Sequence, residues 1–304
     1  MAYITKRIVL ALILLASAAF AADQSPYPPW QRFGFGVRES LADLKMQPPE
    51  VTLTDQEREK LYRGEIITRL MDAPEGYKLG YLRFFAPFDP VTAYMVVSDA
   101  ESYDETDPAF DATGSVSNKR RSFWPNAIEN DACVEHGEVR MNQLIVLPLI
   151  SPRKVCLAGS FDTTAFPWES HWDLAGDSVC CLSQRDPELQ RYYDKAVVVT
   201  RNKESWHISP LPPEFRRTPQ DILRTDCIYI ADVNPGGELG RMEYIANMAA
   251  KTSLPQIARH TVARGKSWES FLESRYGSRM AQQYRGWVRM YREAIQDGEG
   301  KQLQ

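Results

Sequence analysis

Three short stretches of the 304-residue chain carry residue types suited to chemistry. His171-Trp172-Asp173 sets an imidazole and a carboxylate two positions apart, so in a strand both point to one face. They could form a polar cluster that orients a ligand. The plainer reading is a histidine with its hydrogen bonds satisfied inside the structure. Glu135-His136-Gly137-Glu138 has metal-ligand types, but it falls in a turn with no second histidine nearby, so no metal site is expected. Gly176-Asp177-Ser178-Val179-Cys180 begins like a nucleophile elbow, yet it lacks the closing glycine and the strand-to-helix setting. No phosphate loop, dinucleotide fingerprint or H-E-x-x-H is present. The expectation is therefore no catalytic residue with a local signature, no cofactor and no metal.

Five cysteines, Cys133, Cys156, Cys180, Cys181 and Cys227, could pair once or twice or serve as small buried apolar residues. An odd number leaves at least one over, and the lack of C-x-x-C argues against a redox centre.

The elements that must position these residues are legible in outline. Thr54-Asp55-Gln56-Glu57 reads as a capped helix start. Gly64 to Met71 is rich in β-branched residues and reads as a first strand. Leu82, Phe85, Phe88, Val91 and Met95 recur at three- and four-residue spacing, which predicts helical turns over Leu79 to Tyr94, interrupted at Pro87 and Pro90. Val134 to Pro148, Lys154 to Thr163, Glu169 to Gln184, Lys195 to Ile208 and Asp226 to Val233 are strand-like. With no helix between them they predict an antiparallel meander. A helix is expected from Leu239, kinked at Pro255, and a further helical segment after Ser267, broken near Gly277.

The order of these stretches resembles the START-like (helix-grip, SRPBCC-type) lipid-binding domains, and an exported bacterial member of them. The resemblance lies in Met71-Asp72-Ala73-Pro74 with Phe88-Asp89-Pro90 and Ser98 to Tyr103, in Leu149-Ile150-Ser151-Pro152-Arg153-Lys154, and in Ser205-Trp206-His207-Ile208 with Ile228 to Gly237. It covers about residues 64 to 262. It implies an α+β helix-grip fold, a curved antiparallel sheet wrapped around a long C-terminal helix, with an extra C-terminal helical segment. It also implies a cavity for a lipid or other hydrophobic ligand, lined from strands and helix. His171, Trp172, Trp206, Met242, Ile245 and Ala249 are the candidate ligand-binding residues, with Leu254 as further wall. Leu144, Val146, Val155 and Leu157 are strand candidates, and the sequence leaves open which alternation faces inward. The long insert between Arg201 and Thr225, with Pro210, Pro212, Pro213 and Pro219, departs from a tight hairpin.

The N-terminus has the order of a secretory signal. Lys6 and Arg7 precede an uncharged run from Ile8 to Phe20, and Ala19-Phe20-Ala21 offers a cut after Ala21. The run is shorter than the roughly 20 residues a permanent span needs. The organisation expected is a signal over 1–21, a Pro- and aromatic-rich arm over 22–53 that lies across the domain, a START-like domain over 54–265, and a helical extension and tail over 266–304. Location is expected to be periplasmic or secreted. Removing two of the 36 basic residues leaves 34 against 40 acidic ones, so a polyanion such as nucleic acid is not an expected partner.

Arginines 259, 264, 275, 279, 285, 289 and 292 interleave with Trp268, Tyr284, Trp287 and Tyr291. That pattern fits transient contact with an anionic membrane surface, or aromatics packed on the domain with arginines solvated or paired to Glu269, Glu273 and Glu293, the reading preferred here. A binding or carrier protein is favoured over a cavity-based enzyme of the cyclase or hydrolase kind, and over an envelope interaction protein with a vestigial cavity.

Overall fold

The computed structural model describes residues 46–72, 78–98, 139–145, 151, 153–162, 166–174, 194–234, 236 and 243–302. The signal over 1–21, Trp30 and the rest of the arm to residue 45, the 99–138 stretch with Glu135-His136, and Cys133, Cys180 and Cys181 lie outside them.

Helix α1 (Asp55–Tyr62) begins as its sequence dictates. The Glu57 amide donates to the Thr54 hydroxyl, and the Glu57 carboxylate accepts from the Thr54 amide at 2.9 Å, a reciprocal cap. Strands β1 (Ile67–Asp72) and β2 (Lys78–Ala86) then pair antiparallel.

Here the expectation of helical turns over Leu79 to Tyr94 is corrected. The chain is a strand to Ala86 and turns helical only at Pro90, in α2 (Pro90–Ser98). The reason is burial on both faces: Leu82, Phe84 and Ala86 look one way and Tyr81 and Phe85 the other, all buried, so no apolar–polar alternation survives. The Asp89 carboxylate takes the Thr92 amide at 3.0 Å and caps α2 ahead of Pro90.

Strands β3 (Val139–Ile145), β4 (Arg153–Asp162), β5 (Trp168–Leu174), β7 (Arg201–Pro210) and β8 (Thr225–Asn234) form the expected meander. The sheet order is β1-β2-β8-β7-β5-β4-β3 with antiparallel neighbours, and the two-residue β6 (Val197–Val198) joins β4 in parallel. The last strand thus closes beside the first hairpin. Gly236 ends this run with φ +74°, and a Cβ there would collide with the Val198 carbonyl, so glycine is required. The 211–224 insert folds into two 3₁₀ turns, Pro213–Phe215 and Pro219–Leu223. Asp221 ties it down, accepting from the Arg217 and Thr218 amides and the Tyr62 hydroxyl. Burial raises the Asp221 carboxyl, but these donors outweigh it and bring it down to about 2.

Helix α3 (Glu243–Lys266) runs through Pro255 without a break and packs on β1, β2 and α2. Gly265 lets it approach the turn that leads into α2: a Cβ there would overlap the Phe88 ring. Helix α4 (Trp268–Tyr276) stops at Gly277, φ +86°, and α5 (Ser278–Gln302) turns back along α4 and touches α2. Trp268, Tyr284, Trp287 and Tyr291 are buried in the same core as the sheet. Arg285, Arg289 and Arg292 stay exposed, whereas Arg264 is buried. Arg285 pairs with Glu269 at 2.7 Å, and Arg264 lies over Trp268 and Phe271. The aromatic residues of this basic segment are therefore core residues. No helix among the described residues is long and apolar enough to cross a membrane.

Candidate functional site

Register decides which side chains meet. Ser170 is opposite Trp206, Trp168 opposite Ile208, Trp206 opposite Tyr229, and Cys227 opposite Phe84. Side chains alternate along each strand, so Trp168, Ser170, Trp172, Trp206, Ile208, Cys227, Tyr229, Leu82 and Phe84 share one face. That face is the inner one, because the apolar members join α2, Leu254 and Ala258 of α3, and α5 in one buried cluster.

The aromatics make specific contacts there. Trp206 stands edge-on to Phe84 at 6.4 Å and tilts against Tyr229 at 4.7 Å. Trp168 meets Tyr94 of α2 at 5.7 Å. Cys227 is a buried free thiol on this face, and burial pushes it well above its ordinary value. It takes no part in a disulfide.

Of the candidate ligand residues, Trp172 and Trp206 are brought together on the inner face. Ile245 and Ala249 lie on α3, and Met242 precedes it, outside the described residues. Leu254 is buried, its methyl groups over Gly80 of β2. His171 is placed otherwise. It points to the outer face, since it is one position out of phase with Trp172. A polar cluster exists around it, but not inside the sheet and not with Asp173, which pairs with Lys203 at 3.5 Å.

That outer cluster is a closed ring of Glu169, His171, Ser205 and His207, all buried. The Glu169 carboxyl is raised by burial, yet the hydrogen bonds from His171 and His207 prevail and hold it well below the carboxylate range. An ionised Glu169 can only accept, so His171 Nε2 carries a proton and donates to it at 2.9 Å. His171 Nδ1 lies 2.7 Å from the Ser205 hydroxyl. His207 Nε2 lies 2.9 Å from Ser205 Oγ and 3.0 Å from the Met46 carbonyl, while its Nδ1 faces Glu169 at 3.4 Å.

Met46 is the first described residue of the N-terminal arm. From it the chain runs to Leu53, which packs with Leu61, Ile67, Phe85 and Leu211 in a second, smaller core. The arm's last residues therefore cover the outer face. Sequence reasoning found His171 but missed Glu169, Ser205 and His207; their i, i+2 spacing on two strands was the available signal. No group of three or more acidic, His or Cys side chains among the described residues is arranged to hold a metal.

The ring gives a prediction. Glu169→Gln is expected to cost about 2–3 kcal/mol, because a buried charged acceptor is lost and the imidazoles are left without it. The pH dependence follows from the lowered carboxyl: its contribution is complete above the ordinary value of 4.5 and fades as pH falls below that. Urea midpoints measured from pH 7 to pH 3 should fall in the wild type and fall less in the variant. Parallel curves would refute it.

No protein-family model and no curated protein matches this sequence. Solved structures to which the chain is similar include human STARD10, at 13% identity over 77% of this chain and 87% of that one, with a TM-score of 0.47. Human StAR-related lipid transfer protein 5 is similar at 12% identity over 67% and 83%, TM-score 0.46. A STAR-related lipid transfer protein from Xanthomonas axonopodis is similar at 12% identity over 63% and 98%, TM-score 0.38. The chain has a START-like, helix-grip α+β fold. Its own strand order and the long helix packed on the first hairpin carry that statement.

Proposed function

We propose that the chain is an exported protein that binds and carries a lipid or other hydrophobic ligand between the inner sheet face and the helices. The observation that carries the reading is the inner face itself, where Trp168, Trp172, Trp206 and Tyr229 share one side of three adjacent strands. A surface of that kind suits an apolar ligand oriented by a few polar groups. Export is supported by the charge, apolar run and A-x-A of residues 1–21. In that setting envelope lipids are the natural ligand pool. An enzyme of the cyclase or hydrolase kind would need acid–base groups on the inner face, whereas the His–Glu cluster sits on the outer one.

A second reading has one observation in its favour. Helix α2, buried along its whole length, is seated on β5, β7 and β8. If it fills the inner space, the chain is an envelope interaction protein whose cavity is vestigial. Native mass spectrometry with lipid extraction, on protein purified from its own envelope, separates the two. A bound lipid at one per chain is expected; protein that is lipid-free by both measurements would sink the carrier reading.

A further inference from the structure

We propose that the outward side of α5 docks the protein on an anionic lipid surface, through its arginines and an apolar rim at Phe166 and Met290. The choice of lipid over another polyanion rests on the export reading above; the docking face itself does not. Tyr284, Trp287, Val288 and Tyr291 turn into the core, so the outward side is made of what remains. It carries Arg279, Arg285, Arg289 and Arg292 against one acid, Glu293. Lys266 and, on the neighbouring α4, Arg275 are exposed too, with Glu269 and Glu273 as the acids. Six cations thus stand against three acids, on a chain whose 36 basic residues are outnumbered by 40 acidic ones. Asp297, Glu299 and Lys301 of the last turns lower the surplus by one.

These cations are available. Among the described residues, Arg285 holds Glu269 at 2.7 Å, but Arg289, 76% exposed, and Arg292 are 3.9 Å from Glu293 and Asp89. Exposed pairs of this kind are weak and yield to a stronger field. Phe166 and Met290 are two of the four large apolar side chains exposed among the described residues. Phe166 stacks on Trp168 and stands edge-on to Tyr291 of α5 at 6.4 Å, while Met290 adjoins Arg289 in the helix. Cations bordered by exposed apolar groups suit a bilayer surface, with charges at the headgroups and apolar groups just beneath them. The 25 residues of α5 offer a face about 37 Å long. A surplus of two or three cations gives on the order of a hundredfold in affinity, which makes a reversible contact rather than an anchor.

The test is co-sedimentation of the chain, purified from its own envelope, with vesicles of phosphatidylcholine alone or with one-third phosphatidylglycerol. Binding is expected to the anionic vesicles only, at about 0.05 M salt and not at about 0.5 M. Arg279→Gln with Arg289→Gln should weaken it about thirtyfold, and Glu293→Gln should strengthen it about fivefold, at one charge per substitution. All three positions are exposed, so circular dichroism and melting should be unchanged. Phe166→Ala should weaken vesicle binding and leave binding of heparin, a soluble polyanion, as it was. Equal binding to both vesicle types, or full binding by the double arginine variant, would overturn the docking face. Binding to heparin but not to anionic vesicles would overturn the lipid surface as the partner. A chain that carries lipid yet binds no vesicle would overturn this inference and leave the carrier reading standing.

Discussion

Asp226→Ala is expected to destabilise the fold by about 4 kcal/mol, among the largest effects of any single replacement outside the inner core. Arg83 grips Asp226 with two bonds, Nε to Oδ1 at 3.0 Å and Nη2 to Oδ2 at 2.6 Å. Both side chains are largely buried, at 13% and 6% exposure, so neither charge has water to fall back on. The guanidinium also lies over the Phe215 ring of the 211–224 insert, 5.2 Å from its centroid. Removing the carboxylate leaves that cation unpaired beneath the insert, and the penalty is mostly its desolvation. The double variant Arg83→Met with Asp226→Leu should recover most of the loss, because two apolar side chains need no partner. Urea unfolding, which leaves ion pairs unscreened, checks both. A double variant no more stable than Asp226→Ala would refute the account.

Trp206→Ala should cost a similar amount, about 4 kcal/mol, for a different reason. The indole is 4% exposed and fills the space between Phe84 and Tyr229 from the middle of β7. Alanine leaves a cavity that three neighbouring strands, fixed by their ladders, cannot close. Trp206→Phe keeps a ring in the same place and should cost about half as much or less. Equal midpoints for Ala and Phe would mean that the site collapses around either. The two predictions probe opposite faces of one sheet, so their costs should add within a few tenths of a kcal/mol.

The His171 cluster shows where reading the sequence stopped. His171-Trp172-Asp173 announced a polar and an apolar residue on alternating faces, and alternation is a local property that a strand guarantees. The direction of the alternation is not local. It depends on which face receives α2 and α3, and that is settled by contacts between residues far apart in the chain. The ring partners Ser205 and His207 sit on β7, more than thirty positions from His171, and only the β5–β7 register brings them within hydrogen-bonding distance.

Some features are written in neighbouring residues. The Thr54–Glu57 cap, the stop at Gly277, the meander from Val139 to Asn234 and the inward stripe of α5 each follow from spacing over a few positions. Residues 79–86 mark the opposite case. An interior strand covered on both sides has apolar residues at nearly every position, so its periodicity is lost and Leu82, Phe85 and Phe88 mimic a helix. The pairing of Lys78–Ala86 with both β1 and β8 made it a strand.

The sequence by itself determined the caps, the turns, the run of antiparallel strands and the amphipathic last helix, because each needs only short-range spacing. The tertiary structure decided that Trp172 and Trp206 face inward, that His171 and His207 face outward with His207 against the Met46 carbonyl, and that Arg83 meets Asp226. Those outcomes depend on sheet order and on which face the helices cover, quantities that no short stretch of chain contains.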